Sequence, residues 1–466
     1  MARRYAIIGA GITGLAAARR LREITGNSEI VVFDSRERTG GVLATDRRDQ
    51  YLIEQSADMF TTEPRFGLEL CEQLGLVDEL VSTRHVEQRA FIFRDDRIHP
   101  VPDGFSLMLP GRLMPVLGSD LLSWDAKARL LQESQVPCLV QIEDESLKEF
   151  ATRRLGNEIF DYLVQPLASG IYTADPSKLS MRATMQRFKD KVSKHGSLIA
   201  AARSSSLSSD NRASGARYDL FRAPSGGFGQ LVDRLTEQLE QSAVQFRLGT
   251  GVNRLAARGD QWSVILEEGN SSDFDGVVVS SSARIAASLL EQECNEAAQL
   301  LNRITTASVA IVALGIDSSD MPEDFGGFGI LFPACENREV IALSFSSNKF
   351  PGRAPEGKSL IRCFIGGALH HDLLKKSDSV LIKSALEHLS LATGFDGNSE
   401  FAHVYRWDYC MPQYHIGHTR LVEEIGRQME SYPTIQLAGN SYHGVGIPVC
   451  VQSGAQAAEK LVRAGS

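Results

Sequence analysis

The spacing of apolar residues changes several times along this chain, and each change marks an element. Tyr5 to Ile8 is a continuous apolar run of strand length. A glycine turn follows, then apolar positions at helical spacing from about Thr13 to a stop near Gly26. "EIVVFD" is a second, β-branched run ending at Asp34, and the three together predict a βαβ unit. Residues 68–81 repeat apolar positions at i, i+3, i+4 and i+7, which predicts a helix. Residues 97–122 are apolar but too interrupted by Pro and Gly for one helix. Residues 124–190 read as mainly helical, and the Ser-rich stretch 194–217 as a loop. "GGFGQLVDRLTEQLEQ" is another turn and helix, with short alternating strand runs after it. Further strands are expected at 307–314, 339–346, 359–365 and 402–409, with a helix at 379–393. No repeat of fixed period is visible.

At 466 residues the chain exceeds one ordinary core, so two or three domains are expected. The element order suggests a nucleotide-binding domain assembled from separated segments, with other domains inserted between them. A net charge of -9 argues against nucleic acid as the main partner, since no basic excess exists to displace counterions. Seven scattered cysteines without a C-x-x-C pair make a disulfide framework or zinc site a poor expectation and fit a reducing cytosol. No metal site is expected. No apolar run approaches the ~18 residues of a membrane span. The basic start and following apolar stretch resemble a short signal peptide, but that reading gives Asp34 no part.

The chemistry begins at Gly9-x-Gly11-x-x-Gly14, directly after a strand and opening a helix. Gly9 permits the tight turn, Gly11 lets backbone approach a pyrophosphate, and Gly14 lets helix and strand pack closely. Asp34 follows Gly14 by 20 residues, at the end of the second strand, where a carboxylate can meet an adenosine ribose. This context predicts a dinucleotide, either NAD(P) or FAD.

The next residues carry a resemblance. "DSRERTGGVLAT", with Asp34, Arg38, Gly40, Gly41 and Thr45, is similar to the FAD-binding motif of the flavin amine oxidase and protoporphyrinogen oxidase superfamily. Further segments resemble bacterial porphyrinogen oxidases of the HemY type, which include coproporphyrinogen III and protoporphyrinogen oxidases. They are "GAGITGLAAA", "LGNEIFDYLVQPLASGIYTADPSKLSM", "APSGGFGQLVDRL", "FPGRAPEGKSLIRCFIGG", "YRWDYCMPQYHIGH" and "AGNSYHGVGIPVCVQSG", spread over nearly the whole chain.

This resemblance implies an α/β fold with α+β insertions: a discontinuous Rossmann-type FAD-binding domain, a mixed-sheet substrate domain and a mainly helical insert. The FAD-binding segments would be 1–75, 216–290 and 401–466. The helical, substrate- or membrane-facing insert would be 76–215 and the substrate-binding domain 291–400. The implied activity is FAD-dependent oxidation of a porphyrinogen to a porphyrin in heme biosynthesis, with oxygen as acceptor and hydrogen peroxide as product. Coproporphyrinogen III is the favoured substrate and protoporphyrinogen IX the alternative. A flavin amine oxidase, a carotenoid desaturase and a non-catalytic flavin-binding protein are more distant readings.

The cofactor contacts carried over are Gly9, Ala10, Gly11, Ile12, Thr13, Gly14, Asp34, Ser35, Gly41, Val42, Ser56, Ala57, Asp58, Met59, Val252, Trp407, Ile447, Pro448 and Val449. Val42 stands where the family often has Arg, and Ser56-Ala57 where it usually has Gly-Pro. Gly170 and Ile171 would form a flat apolar substrate wall, Tyr172 wall or core, and Arg65 a propionate partner. The edge "MFTTEPRFG" is less basic than the family pattern, which weakens the four-propionate assignment. His415, His418 and His443 are each expected to be structural, and no catalytic base is singled out. The implied partners are the porphyrinogen, oxygen and a downstream heme-pathway enzyme. The implied location is cytoplasmic, with peripheral membrane contact open through residues 97–122.

Overall fold

A computed structural model describes residues 3–84, 89–138, 143–206, 220–322 and 325–465. Its central sheet has five strands in the order Val244–Arg247, Glu29–Phe33, Arg4–Ile8, Gly276–Val279 and Ile435–Leu437, all parallel. A parallel sheet must be covered on both faces, and its strands are apolar on both for that reason. Tyr5, Ile7, Ile30, Val32 and Val278 point into one core, with residues of the helices Ile12–Thr25, Phe228–Gln241 and Ile447–Gly465. Ala6, Ile8, Val31, Phe33, Val277 and Val279 point into the other, with the helices Ala283–Leu290, Asn295–Leu301 and His418–Met429. The first helix runs Ile12–Thr25 and stops at Gly26, whose φ of 62° is positive as expected.

A second sheet has seven strands, in the order Ser399–Pro412, Thr306–Asp317, Lys358–Gly366, Val340–Phe345, Gly329–Leu331, Ala90–Arg94 and Arg97–Pro100. Its pairs are antiparallel except where Gly329–Leu331 meets Ala90–Arg94. The helix Asp378–Thr393 covers one face through Leu381, Ala385 and Leu389. A helical lobe between residues 113 and 206 has its own core, including Leu147, Phe150, Leu163 and Phe188.

Several expected boundaries move, each because a distant partner overrides local pattern. The strand Ser399–Pro412 crosses the boundary expected at 400 and pairs with Thr306–Asp317 in the seven-stranded sheet. Ala90–Arg94 and Arg97–Pro100, inside the stretch expected to be mainly helical, belong to that sheet too. The helix expected over 68–81 spans Phe66–Gln73. Gly75 then takes a positive φ, and Leu80–Ser82 becomes a strand against Phe221–Pro224. Within the Ser-rich stretch, Leu198–Ser206 is a helix, because the buried Glu133 carboxylate accepts the N–H groups of Leu198 and Ile199. Residues 207–217 of that stretch lie outside the described residues.

Candidate functional site

The glycine turn after Arg4–Ile8 is built for close approach. Gly9 has φ +108°, and a Cβ on Gly14 would stand 1.9 Å from the Gly9 carbonyl oxygen. No alternative residue fits there without moving backbone. Ser280 closes the turn from below, its hydroxyl donating to the carbonyls of Ile8 (3.0 Å) and Gly9 (2.9 Å). The sequence signal for Ser280 is a serine run after a buried strand, a pattern that by itself names no partner. The second glycine turn docks on the first: the Gly40 N–H donates to Ala10 O at 2.8 Å, and a Cβ on Gly41 would lie 3.1 Å from Gly11 Cα. Gly11 caps the first helix without any side-chain cap, leaving a 14-residue helix to present its N-terminus beside paired glycines. Backbone donors and the positive end of the helix suit a phosphate. A pyrophosphate-bearing cofactor fits this cradle.

Asp34 sits at the strand end as expected, but its carboxylate is tied to the loops. One oxygen accepts the Ala10 N–H at 2.7 Å and the other the Arg36 N–H at 2.9 Å. The Asp34 carbonyl accepts the Thr250 N–H at 2.8 Å, which brings the chain leading to Val252 alongside. Ser35 is exposed. Val42, which stands where the family often has Arg, is exposed too. Two other guanidinia occupy its neighbourhood: Arg36 and Arg38 donate to the Gly41 carbonyl at 2.9 and 2.8 Å. Arg36 also lies over the Trp407 ring, 5.2 Å from its centroid. Among the described residues neither has a carboxylate within ion-pair distance.

The strip from Glu54 to Met59 is clamped from the seven-stranded sheet. Arg362 donates to the carbonyls of Glu54 and Ser56, each at 2.8 Å, and Trp407 Nε1 donates to Gln55 O at 2.6 Å. Trp407 is therefore a buried strand residue with a polar task, holding the strip. Ser56 donates its hydroxyl to Val42 O at 2.7 Å. Ala57 packs on the core of the first helix. Asp58 is buried and paired with Lys349 (3.2 Å) and Arg362 (3.4 Å). Burial pushes its pKa up, but Lys349 and Arg362 outweigh that and hold it at about 2. Arg353 stands 4.0 Å from Glu54, itself buried and accepting from Phe228 N–H and Thr45 Oγ1. Burial pushes the Glu54 carboxyl up to about 7 against the pull of Arg353. Lys349, Arg353 and Arg362 were not foreseen. Arg353 and Arg362 lie in "FPGRAPEGKSLIRCFIGG", one of the segments that carry the resemblance, and Lys349 directly precedes it.

The C-terminal segment closes the cradle from the other end of the chain. The helix Ile447–Gly465 packs on Ile12–Thr25 so closely that a Cβ on Gly454 would stand 2.1 Å from Thr13 O. Ile447 and Pro448 are buried at its start, Val449 is half-buried, and Pro448 touches the space beside Gly67. The "MPQYHIGH" segment pins the glycine-rich run. The Tyr414 hydroxyl donates to Asn440 O, and His418 Nε2 meets Tyr442 O at 3.0 Å. His418 stacks on Tyr414, centroids 4.2 Å apart, and burial pushes its pKa down to about 4. It is a neutral, structural residue. His443 is exposed, and His415 lies 3.3 Å from Thr305 Oγ1.

The expected substrate residues are partly gathered. Gly170, Ile171 and Tyr172 end the helix Gln165–Tyr172. A Cβ on Gly170 would stand 3.6 Å from Leu331 Cδ2, and Thr173 O accepts the Ala368 N–H at 2.9 Å, so this helix end abuts the seven-stranded sheet. Ile171 is 44% exposed and so open to contact from outside the two layers. Tyr172 is half-buried, its hydroxyl 3.4 Å from Thr184 O. Arg65 is not a free cation: it pairs with Glu72 at 2.8 Å and Glu69 at 3.6 Å on its own helix.

A five-stranded parallel sheet with a glycine cradle, closed by a helix from the far end of the chain and walled by a second sheet, is the architecture of a dinucleotide-binding protein. The chain belongs to the flavin containing amine oxidoreductase family, whose match spans residues 12–462. It is similar to the coproporphyrinogen III oxidase of Bacillus subtilis (strain 168), 32% identical over 454 residues that cover 96% of this chain and 95% of that one. The coproporphyrinogen III oxidase of Staphylococcus aureus (strain NCTC 8325 / PS 47) is 29% identical over 470 residues, covering 99% of both. Among solved structures, a provisionally assigned protoporphyrinogen oxidase from Exiguobacterium sp. 255-15 superposes with a TM-score of 0.87 at 27% identity, covering 99% of both chains. No helix among the described residues is long and apolar enough to cross a membrane.

Proposed function

We propose that this protein oxidises coproporphyrinogen III to coproporphyrin III, using FAD and oxygen. The balance is six protons and six electrons lost by the macrocycle, with three oxygen molecules taking them up as three of hydrogen peroxide. The observation that carries the reading is the whole-length likeness to coproporphyrinogen III oxidases. The flavin would supply the electron-pair chemistry. The chain's own residues supply the rest. Gly9, Gly11, Gly14 and Gly41 let backbone approach a pyrophosphate, with Ala10, Ile12 and Thr13 lining the turn and Asp34 and Val252 at the ribose end. Ser56 to Met59, Trp407 and Ile447 to Val449 would hold the ring system. Gly170 and Ile171 would offer the flat apolar wall that a macrocycle needs.

Protoporphyrinogen IX is a second reading, favoured by one observation: Arg65, the expected propionate partner, already faces Glu69 and Glu72. The test gives the FAD-loaded protein each porphyrinogen and follows porphyrin fluorescence and oxygen uptake. Faster turnover of coproporphyrinogen III is expected. Preference for protoporphyrinogen IX would reverse the substrate assignment, and oxidation of neither above the spontaneous rate would sink both.

A further inference from the structure

Five ionisable side chains meet between the strip Glu54–Met59 and the seven-stranded sheet: Glu54, Asp58, Lys349, Arg353 and Arg362. Each is at most 9% exposed. Asp58 lies 3.2 Å from Lys349 and 3.4 Å from Arg362, and Glu54 lies 4.0 Å from Arg353. The charges do not cancel. Guanidinium groups stay protonated in proteins, so the two arginines and Asp58 sum to +1. With the Lys349 ammonium donating to Asp58 at 3.2 Å, the five groups sum to +1 when Glu54 is ionised and +2 when it is protonated. Buried away from water, that excess is screened little by salt. The same arginine that carries part of the charge grips the strip, through Glu54 O and Ser56 O.

We propose that Glu54, Asp58, Lys349, Arg353 and Arg362 form a buried, net-positive charge cluster whose field raises the reduction potential of the flavin held along Ser56–Met59. The proposal rests on the reading, given above, that this strip lies beside the flavin. Its physical basis is simple. Two electrons and one proton convert oxidised flavin to its anionic reduced form, and a fixed positive charge nearby favours the more negative species. Removing one positive charge should lower the potential, and removing one negative charge should raise it.

The test is a pair of variants with opposite expected signs, Lys349→Met and Asp58→Asn, titrated as flavin-loaded protein with dithionite against a reference dye. Lys349→Met should disfavour the two-electron reduced state about tenfold, a fall of about 30 mV. Asp58→Asn should shift it by a similar factor upward. Shifts of the same sign, or no shift in either, overturn the proposal, because damage to packing has no reason to change sign with charge. If Lys349→Met is not recovered folded, Asp58→Asn decides alone: a raised potential supports the proposal, and an unchanged or lowered one overturns it. Ser56→Trp separates this from the underlying reading. An unaltered flavin spectrum and affinity in that variant would show that the strip does not meet the flavin. An altered spectrum with unmoved potentials would show that the strip does and the charges do nothing.

Discussion

At the scale of single residues, the cradle depends on missing atoms. Gly14 is in a helix, where alanine is ordinarily the better residue, yet its Cβ would lie 1.9 Å from Gly9 O. Gly14→Ala is therefore expected to destabilise the protein by about 1–3 kcal/mol, as overpacking does. A lowered urea midpoint and a lower flavin-to-protein ratio after purification would check this. His418 makes a pH prediction. Its folded pKa is pushed down to about 4 by burial, below the ordinary 6.5. The unfolded chain then binds a proton between those values that the native state refuses, so stability falls as pH drops from 6.5 to 4. His418→Gln should flatten that part of the curve. The difference in urea stability between variant and parent, measured from pH 7 to 4, isolates this residue from the oppositely directed Glu54. These two residues also differ in legibility. Gly14 could be assigned from its spacing, because a strand, a turn and a helix are local. The environment of His418 could not, since Tyr442 lies 24 residues away and reaches it only through the fold.

At the scale of elements, the helical lobe hangs on one buried pair. Glu133 and Arg154 are both essentially inaccessible, and Arg154 Nε donates to Glu133 at 2.7 Å. The same carboxylate receives the first N–H groups of Leu198–Ser206, one of them at 3.0 Å. Glu133→Ala would strand a guanidinium in the interior and uncap that helix. A loss of about 3–5 kcal/mol is expected, read as a lower midpoint in chemical denaturation. Replacing the pair together, Glu133→Leu with Arg154→Met, should recover much of it. The Ser-rich composition of 194–217 concealed this helix, because its stability comes from a carboxylate 65 residues away in sequence. The strand Ser399–Pro412 was visible as an element, but its allegiance was not, since alternation reports a pleat and never the partner.

At the scale of the whole molecule, the nucleotide-binding layer is one sheet drawn from separated stretches of chain. Its edge strand, Ile435–Leu437, and covering helix, Ile447–Gly465, arrive last. A chain ending at Gly439 would keep that strand and lose the helix, exposing buried residues of Ile12–Thr25 such as Ala17 and Leu21. Such a truncation is expected to retain no flavin and to aggregate, which gel filtration with absorbance at flavin wavelengths would show. Restoring the C-terminal segment should restore both properties together.

The sequence by itself determined the βαβ unit, the glycine cradle and the acid at the end of the second strand, because those features are written in short-range spacing, and its segments carried the family resemblance. It also showed that "GVGIP" opens a helix. Tertiary structure alone decided what that helix does, setting Gly454 against Thr13 at the far end of the chain. It alone decided that Glu54 and Asp58 meet Lys349, Arg353 and Arg362 from the seven-stranded sheet side. Spacing can report which face a residue occupies. Charge pairing and burial depend on which distant segments share a volume, and only the folded chain brings those segments together.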